Sequence, residues 1–173
     1  MVTITLPDGS IKQFEQPPTG MDLAKGISEG LARDCVAVEI EGQLVDLMRP
    51  IASDSSVRLV TTRDPEAIEI MRHSAAHVMA RAVMRLYPEA KLTIGPVVED
   101  GFYYDIDMEP VSEEAFAEIE SEMRKIVKAK IPIVRREVTK GEALAFYKDE
   151  PYKLEMIREL DDGTISFYEQ DDF

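Results

Sequence analysis

The stretch VTITLPDGSIKQFE (residues 2–15) has the form of a β-hairpin and decides the first fold assignment. Apolar and polar residues alternate on both sides of the turn residues PDGS, as they do in strands with one buried face. After it, MDLAKGISEGLA (21–32) predicts a short helix interrupted by glycines, and CVAVEIEG, QLVDLM and SVRLVTT predict three further short strands. This order of elements is typical of a β-grasp, ubiquitin-like domain, which we expect over residues 1–62.

The pattern changes at TTRDPEAIE (61–69), where a second domain is expected to begin. Asp64 is a residue type that caps helices and Pro65 suits the first helical position, so a long helix is predicted from Pro65 to Leu86. Its apolar residues recur at helical spacing. The fold class is therefore α+β, and in residues 63–173 we expect this long helix to pack on an antiparallel sheet.

Alternating strand and helix signals follow the long helix. KLTIGPVVEDGFYYDID (91–107) predicts two strands around an EDG turn, and Ser112 precedes a helix over residues 113–130. IPIVRREV (131–138) predicts a strand, and TKGE (139–142) is a capping box that opens another helix. The last predicted elements are a short helix near YKLEMIREL, a DDGT turn and the strand ISFYE.

Length and composition limit the classes of protein to which the chain can belong. Its 173 residues, 45% of them apolar, suffice for a buried core. No apolar run approaches the ~20 residues that a membrane span needs, and the N-terminus lacks the features of a signal peptide. We expect a cytoplasmic protein without a membrane partner. Cys35, the single cysteine, cannot form an internal disulfide, and its apolar surroundings favour a buried thiol without a chemical role.

The formal net charge of −14 argues against a protein that binds nucleic acid with its whole surface. DNA is therefore not an expected partner, and an RNA contact would have to be local. One local basic cluster follows an acidic run. We treat six of its residues as a candidate RNA-facing surface: Arg124, Lys125, Lys128, Lys130, Arg135 and Arg136. The alternative is a solvated helix whose basic last turns suit the helix macrodipole.

Both histidines of the chain, His73 and His77, lie four residues apart in RHSAAHVMA (72–80). Side chains at this spacing project from the same side of a helix, so both imidazoles can face one metal, water or substrate. The small residues Ala76 and Ala80 are expected to form the floor of the pocket. The alternative interpretation is a structural pair whose ring nitrogens are satisfied by other protein groups.

A metal site is the third interpretation of the histidine pair. Zinc needs three or four protein ligands, and the sequence contains no third histidine, so a carboxylate such as Asp105 would have to join His73 and His77. The zincin motif is excluded because Ser74 stands where that motif requires glutamate. The spacing alone therefore leaves a metal-dependent hydrolase open as an alternative.

The sequence resembles one known family over essentially its whole length. The resemblance rests on four segments: ITLPDGS, RHSAAHVMARAV, IGPVVEDGFYYDID and PYKLEMI. Together they look like the front end of bacterial threonyl-tRNA synthetases. Residues 1–62 resemble the TGS domain of that family, and residues 63–173 resemble most of its editing domain. The histidine segment is also similar to the editing domains of alanyl-tRNA synthetases and their free-standing relatives.

The resemblance implies hydrolysis of seryl-tRNA(Thr), the product formed when the synthetase attaches serine by mistake. The family's editing residues fall on His73, His77 and Lys153 of this sequence, with Tyr104 and Asp105 as expected walls of the substrate pocket. The expected partner is therefore tRNA(Thr) charged with serine. The alternative is a non-catalytic module that binds tRNA or another partner and whose histidines are structural.

The family continues beyond the segment that matches this sequence. A Cys-x-x-x-His motif that completes the editing cluster follows shortly after the segment matching ISFYEQDDF, as do the class II aminoacylation core and the anticodon-binding domain. The resemblance therefore implies an N-terminal portion of the enzyme, with no cofactor of its own. The ATP, magnesium and zinc of the full-length enzyme, and the contacts of its homodimer, are expected in the missing domains.

Overall fold

The computed structural model describes residues 1–161, 163–171 and 173, which form two compact units, Met1–Met71 and Arg72–Phe173. The boundary between the units falls inside one helix. The predicted DDGT turn includes Asp162, which lies outside the described residues. Among the described residues, no helix combines the length and the apolar character that a membrane span requires.

The first unit is a five-stranded sheet with two short helices. Its elements are β1 (Val2–Thr5), β2 (Ile11–Phe14), α1 (Gly20–Lys25), α2 (Glu29–Asp34), β3 (Cys35–Ile40), β4 (Gln43–Asp46) and β5 (Ser55–Thr61). The strand order is β2-β1-β5-β3-β4, with β1 and β5 parallel and the other neighbours antiparallel. The β-grasp prediction for this part of the chain is confirmed.

Local sequence explains how the first unit closes its core. Thr19 caps α1 in a capping box with Asp22, so the helix begins immediately after the Pro-Pro-Thr turn. The helix buries Leu23 among the inward-facing residues of the sheet, including Ile4 of β1 and Val38 of β3. Cys35 is buried as predicted, and burial raises the pKa of its thiol.

The long helix α3 (Ala67–Leu86) begins two residues later than predicted. The carboxylate of Asp64 is engaged on its N-terminal side, where it accepts hydrogen bonds from the backbone N–H of Thr61 at 2.6 Å and from the Thr61 hydroxyl at 2.8 Å. The first helical residue, Ala67, instead donates its backbone N–H to the carbonyl oxygen of Asp64 at 3.0 Å. Asp64 therefore shapes the turn before the helix.

The second unit alternates short strands and helices. After α3 its elements are β6 (Lys91–Leu92), β7 (Val97–Val98), β8 (Gly101–Phe102), β9 (Ile106–Asp107), α4 (Glu113–Ala129), β10 (Val134–Thr139), α5 (Lys140–Phe146), α6 (Pro151–Glu159) and β11 (Thr164–Glu169). In the described residues, the expected antiparallel sheet takes the form of three two-stranded ladders, β6–β9, β7–β8 and β10–β11. The α+β class is confirmed.

Two of these ladders belong to one hairpin, residues 91–107, with its turn before Gly101. Between the ladders, the backbone N–H of Thr93 donates to the carbonyl of Asp105 at 3.1 Å, and that of Asp105 donates to Ile94 at 2.9 Å. Pro96 then interrupts regular pairing, because proline has no backbone N–H to donate. The hairpin carries Tyr104 and Asp105, the two residues that the resemblance predicts as walls of the substrate pocket.

The third ladder is covered by the two C-terminal helices. Thr139 caps α5 in the predicted capping box with Glu142. Val138 of β10, Ala143 of α5 and Ile157 of α6 form a small buried core. This core holds α6 in the second unit and so contributes to the position of Lys153, which lies in the first turn of α6.

Candidate functional site

The two histidines of α3 are in direct contact. Their Nε2 atoms are 2.9 Å apart and their ring centroids 4.8 Å apart, with the ring planes inclined at 44°. His73 is exposed and His77 is half-buried. At this distance one ring nitrogen donates a hydrogen bond and the other accepts it, so the two Nε2 atoms share a single proton. The four-residue spacing therefore produces one linked pair, as the sequence predicts for a common face of a helix.

The surroundings of His77 favour its neutral form. Burial lowers the pKa of His77 below its ordinary value of 6.5, and the neighbouring His73 and Lys153 lower this pKa further. A neutral imidazole at physiological pH can accept a proton from a water molecule. The lowered pKa therefore keeps His77 in the protonation state that can accept a proton.

Lys153 lies in the first turn of α6 and faces the 91–107 hairpin. Its Nζ donates to the carbonyl oxygen of Thr93 at 3.4 Å. Burial lowers the pKa of Lys153, and the carboxylate of Glu150 partly opposes this effect. His77 and Lys153 are close enough to interact electrostatically, although they lie on different helices. The second unit thus gathers two imidazoles and one partly desolvated amine.

Tyr104 and Asp105 lie on the returning strand of the same hairpin. The ring of Tyr104 is half-buried against Gly95, and burial raises the pKa of its phenol, with Tyr147 adding to the effect. The side chain of Asp105 is exposed, while its backbone pairs with Thr93 and Ile94. The backbone of Asp105 therefore stabilises the part of the hairpin that carries Tyr104.

Ala76 and Ala80 belong to the packed face of α3. Ala76 is 2% exposed and Ala80 has no exposed surface. Both small side chains thus allow close packing directly beneath the turn of helix that carries the histidines.

Two arginines of α3 were not singled out from the sequence. Arg72 donates from Nη1 to the carbonyl oxygens of Val98 at 3.2 Å and Glu99 at 2.6 Å, which ties the helix to the turn of the hairpin. Arg81 follows His77 by one turn, is 1% exposed and forms an ion pair with Asp171 at 3.5 Å. The sequence signal that points to Arg81 is its spacing, because it follows His77 by four residues, as His77 follows His73.

The described residues do not offer a complete metal site. No group of three or more His, Cys, Asp or Glu side chains within them could hold a metal ion. His73 and His77 supply two of the three or four ligands that zinc requires, and Asp105 does not join them. The residues present therefore do not fit a zinc ion held within the described part of the chain.

The candidate RNA-facing residues are mostly engaged with carboxylates. Four of the six form ion pairs: Arg124 with Glu120 at 3.3 Å, Lys125 with Glu122 at 2.9 Å, Arg136 with Glu169 at 3.3 Å, and Arg135 with Glu137. Lys128 and Lys130 are exposed near the end of α4. Carboxylates beside the guanidinium and ammonium groups weaken the local positive potential that a phosphate backbone would meet.

Comparison with known proteins gives matches of two kinds, one to a family model and the others to whole proteins. A family model described as the TGS domain matches residues 2–61. Over all 173 residues the chain is 65% identical to a threonine-tRNA ligase of Desulfosudis oleivorans and 66% identical to one of Desulforapulum autotrophicum. It is 53% identical to the threonine-tRNA ligase of Petrotoga mobilis over an alignment of 177 residues.

The chain spans only part of these relatives. The alignments cover 100% of this chain but 27% of the length of the two first-named ligases and 28% of the Petrotoga protein. The alignments cover the whole of this chain at high identity, and residues 2–61 match the TGS domain. Both findings agree with the resemblance inferred from the four sequence segments. The chain belongs to the threonine-tRNA ligase family, with whose N-terminal region it aligns over its whole length.

Proposed function

We propose that the second unit carries part of a proofreading site, which hydrolyses the ester bond of tRNA(Thr) mischarged with serine. In this proposal residues 63–173 are the editing domain and residues 1–62 the TGS domain. The single observation that carries it is the linked pair of His73 and His77, held beside the partly desolvated amine of Lys153. Such a cluster has no evident structural purpose, because its groups are polar and mutually repulsive when protonated, and two of them, His77 and Lys153, are half-buried.

Discrimination between serine and threonine explains why a second site is needed. The two amino acids differ by one methyl group, and a pocket that distinguishes them by that group alone gains roughly 1–3 kcal/mol. A separate pocket that admits serine and rejects the larger threonine removes the remaining errors. In the proposed site Tyr104 and Asp105 are the walls that set its width, and Ala76 and Ala80 form the floor beneath the histidines.

The proposed reaction is attack of water on the carbonyl carbon of the seryl ester. The hydrogen bond between the two Nε2 atoms opens as water enters, and His77, held neutral by its surroundings, accepts a proton from the attacking water at Nε2. The new carbon–oxygen bond forms while the developing oxyanion is stabilised by the amine of Lys153. The bond to the ribose oxygen then breaks, that oxygen takes the proton back from the pair, and serine and tRNA(Thr) leave.

The proposed partner is therefore tRNA(Thr), bound in the cytoplasm. Its candidate contacts are the six basic residues of α4, of its C-cap Lys130 and of β10, and four of them would have to exchange a carboxylate partner for phosphate. The ATP, magnesium, zinc and homodimer contacts of a full-length threonine-tRNA ligase are assigned to portions of the relatives that this chain does not match.

Deacylation kinetics test the proposal. Seryl-tRNA(Thr) and threonyl-tRNA(Thr) are incubated with this chain, with its His73→Ala, His77→Ala double variant and with a Lys148→Met control at an exposed lysine of the same unit. The same set is prepared in a chain extended by the Cys-x-x-x-His segment. We expect selective loss of serine that disappears in the double variant and persists in the control.

Two results would contradict the proposal. One is equal hydrolysis by the wild type and the double variant in both the short and the extended chains. The other is tRNA binding without serine release in the extended chain, which would favour a non-catalytic binding module. A salt series separates these cases further, because binding through phosphates weakens steeply as the salt concentration rises.

A further inference from the structure

Lys153 occupies a position that helix stability does not explain. It lies in the first turn of α6, which contains no acidic residue. The positive end of the helix macrodipole disfavours a cation there, and partial burial adds a desolvation penalty. Because both effects act against a charged amine, other contacts must hold this turn of the helix where it is.

The first such contact comes from Tyr152, the residue immediately before Lys153. Its hydroxyl donates to Oδ2 of Asp107 at 2.7 Å. Asp107 is the last residue of β9, and the two residues are 45 positions apart in the chain. The hydrogen bond therefore joins the start of α6 to the base of the 91–107 hairpin.

The second contact comes from Glu150, the residue just before α6. Glu150 is the N-cap residue of α6, but its side chain makes no capping hydrogen bond. Its carboxylate instead pairs with Nζ of Lys91 at 3.1 Å. Pro151 at the first helical position compensates in part, because it has no N–H that needs a cap.

The two contacts meet at a single rung of the ladder. Lys91 of β6 and Asp107 of β9 are paired in register. Glu150 and Tyr152 thus attach α6 to both members of one residue pair, and the Nζ of Lys153 reaches the carbonyl oxygen of Thr93, the residue just after β6. Two side-chain contacts with one residue pair restrict both the position of the first turn of α6 along the hairpin and its rotation about the helix axis.

We propose that Lys91, Asp107, Glu150 and Tyr152 form a brace that positions the amine of Lys153 for ester hydrolysis. They are positioning residues, since each acts through Lys153 and need not touch the substrate. The brace rests on the proposed function for its purpose, but its physical effect on Lys153 can be measured without tRNA. Tyr152 and Asp107 are the better targets, because Glu150 also influences the charge of Lys153 directly.

The test measures the amine reactivity of Lys153 as a function of pH. The chain is labelled with acetic anhydride, and the labelling rate of each lysine is read by peptide mass spectrometry, with exposed Lys148 as the internal reference. In Tyr152→Phe and in Asp107→Asn we expect the pH profile of Lys153 to move to higher pH, because a displaced amine is less buried. A displacement of half a pKa unit changes the free-amine fraction by about 3-fold.

A second arm uses the proposed reaction. If the chain, or its extended form, deacylates seryl-tRNA(Thr), both variants should lower kcat by roughly 10-fold with little change in KM, because a misplaced group loses transition-state contacts. Tyr103→Phe is the matched control, because Tyr103 is an exposed tyrosine of the same hairpin. We expect this substitution to change neither the labelling profile of Lys153 nor the deacylation kinetics.

The outcomes separate the brace from the proposed function. Unchanged Lys153 profiles in both folded variants would overturn the brace, whatever happens to tRNA. A shifted profile together with a wild type that never deacylates would support the brace and overturn its assigned purpose. Both substitutions nearly preserve side-chain size, and circular dichroism verifies folding; if one variant unfolds, the profile of the other decides.

Discussion

The ring of Tyr104 lies so close to Gly95 that a β-carbon at position 95 would stand 2.3 Å from its Cδ2 and 2.5 Å from its Cε2. Carbon atoms in van der Waals contact are separated by about 3.5–4.0 Å, so no side chain fits there while the ring keeps its place. The glycine of the IGP segment is therefore what allows the aromatic ring to lie flat on the hairpin.

The first prediction is that Gly95→Ala displaces Tyr104 toward solvent. Burial raises the pKa of Tyr104 in the native chain, so the variant should lower that pKa toward the ordinary value for tyrosine. Ultraviolet difference titration, with Tyr104→Phe to identify the signal, measures the change. If Tyr104 lines the proposed pocket, the variant should also lose selectivity for serine over threonine.

Gly101→Ala is the matched control for this substitution. Gly101 lies in the same hairpin, and a β-carbon built there meets no atom within 4 Å. We expect the Tyr104 titration of this variant to follow the wild type. Identical titration curves for Gly95→Ala and the wild type would show that the ring does not depend on the glycine.

The second prediction concerns the charge environment of His77. Lys153 contributes to the lowered pKa of this imidazole, so Lys153→Met should raise the pKa of His77 toward 6.5. A proton NMR titration of the two histidines reports this directly, with His77→Gln to assign the signals. Lys148→Met, which removes an exposed amine, should leave the titration unaltered; an equal shift in both variants would exclude a specific effect of Lys153.

The same lowered pKa makes a third prediction about stability and pH. Because the unfolded state binds a proton at His77 more readily than the folded state does, the free energy of unfolding falls as the pH drops through 6.5 and levels off below the folded-state pKa. In urea denaturation from about pH 8 to about pH 5, His77→Gln should lose less stability than the wild type. Parallel pH profiles for the two chains would contradict the assignment.

Local sequence rules account for most elements of the fold. The PDGS turn with flanking alternation gave the correct hairpin, and the Thr139–Glu142 capping box marks the true start of α5. They fail at Asp64, because a good capping residue was already engaged by Thr61 in the preceding turn. The carboxylate of Asp64 can accept hydrogen bonds either from the preceding turn or from the first turn of the helix. The sequence does not show which of these donors lies closer to it.

The candidate site depends much more on contacts between distant residues. The His73–His77 contact follows from helical spacing alone, whereas the place of Lys153 depends on Thr93, 60 residues earlier in the chain. The resemblance to a known family singled out Lys153, but it gave no reason for the position. That reason becomes visible only when Tyr152 and Asp107 are seen to meet at the base of the hairpin.

The fourth prediction concerns Arg58, around which three carboxylates of the first unit converge. Its guanidinium lies 2.6 Å from Glu39, 2.7 Å from Glu66 and 3.4 Å from Asp64. Arg58→Met leaves these like charges close together, so we expect a loss of about 1–2 kcal/mol in the free energy of unfolding of this unit. High salt should reduce the difference in the free energy of unfolding between this variant and the wild type, because it screens the repulsion among the three carboxylates.

Arg63→Met provides the comparison for Arg58. Arg63 is 84% exposed in its side chain and pairs with Asp34 at 3.1 Å, an exposed ion pair of a kind that contributes about 0–1 kcal/mol. Urea denaturation followed through the amide NMR signals of the first unit measures both variants. Equal losses in the two would mean that the Arg58 cluster is no more than an ordinary surface pair.

The fifth prediction compares the effects on stability of replacing two glycines of the first unit with alanine. A β-carbon at Gly20 in α1 would stand 1.9 Å from Cγ2 of the buried Val38, whereas one at Gly30 in α2 has its nearest neighbour, the Ser28 hydroxyl oxygen, at 3.8 Å. Gly20→Ala should therefore lower the free energy of unfolding by about 1–3 kcal/mol through overpacking. Gly30→Ala should raise it by about 0.5 kcal/mol, because alanine loses less backbone entropy in a helix. Amide-resolved urea denaturation measures both, and effects of the same sign would contradict the close approach of α1 to β3.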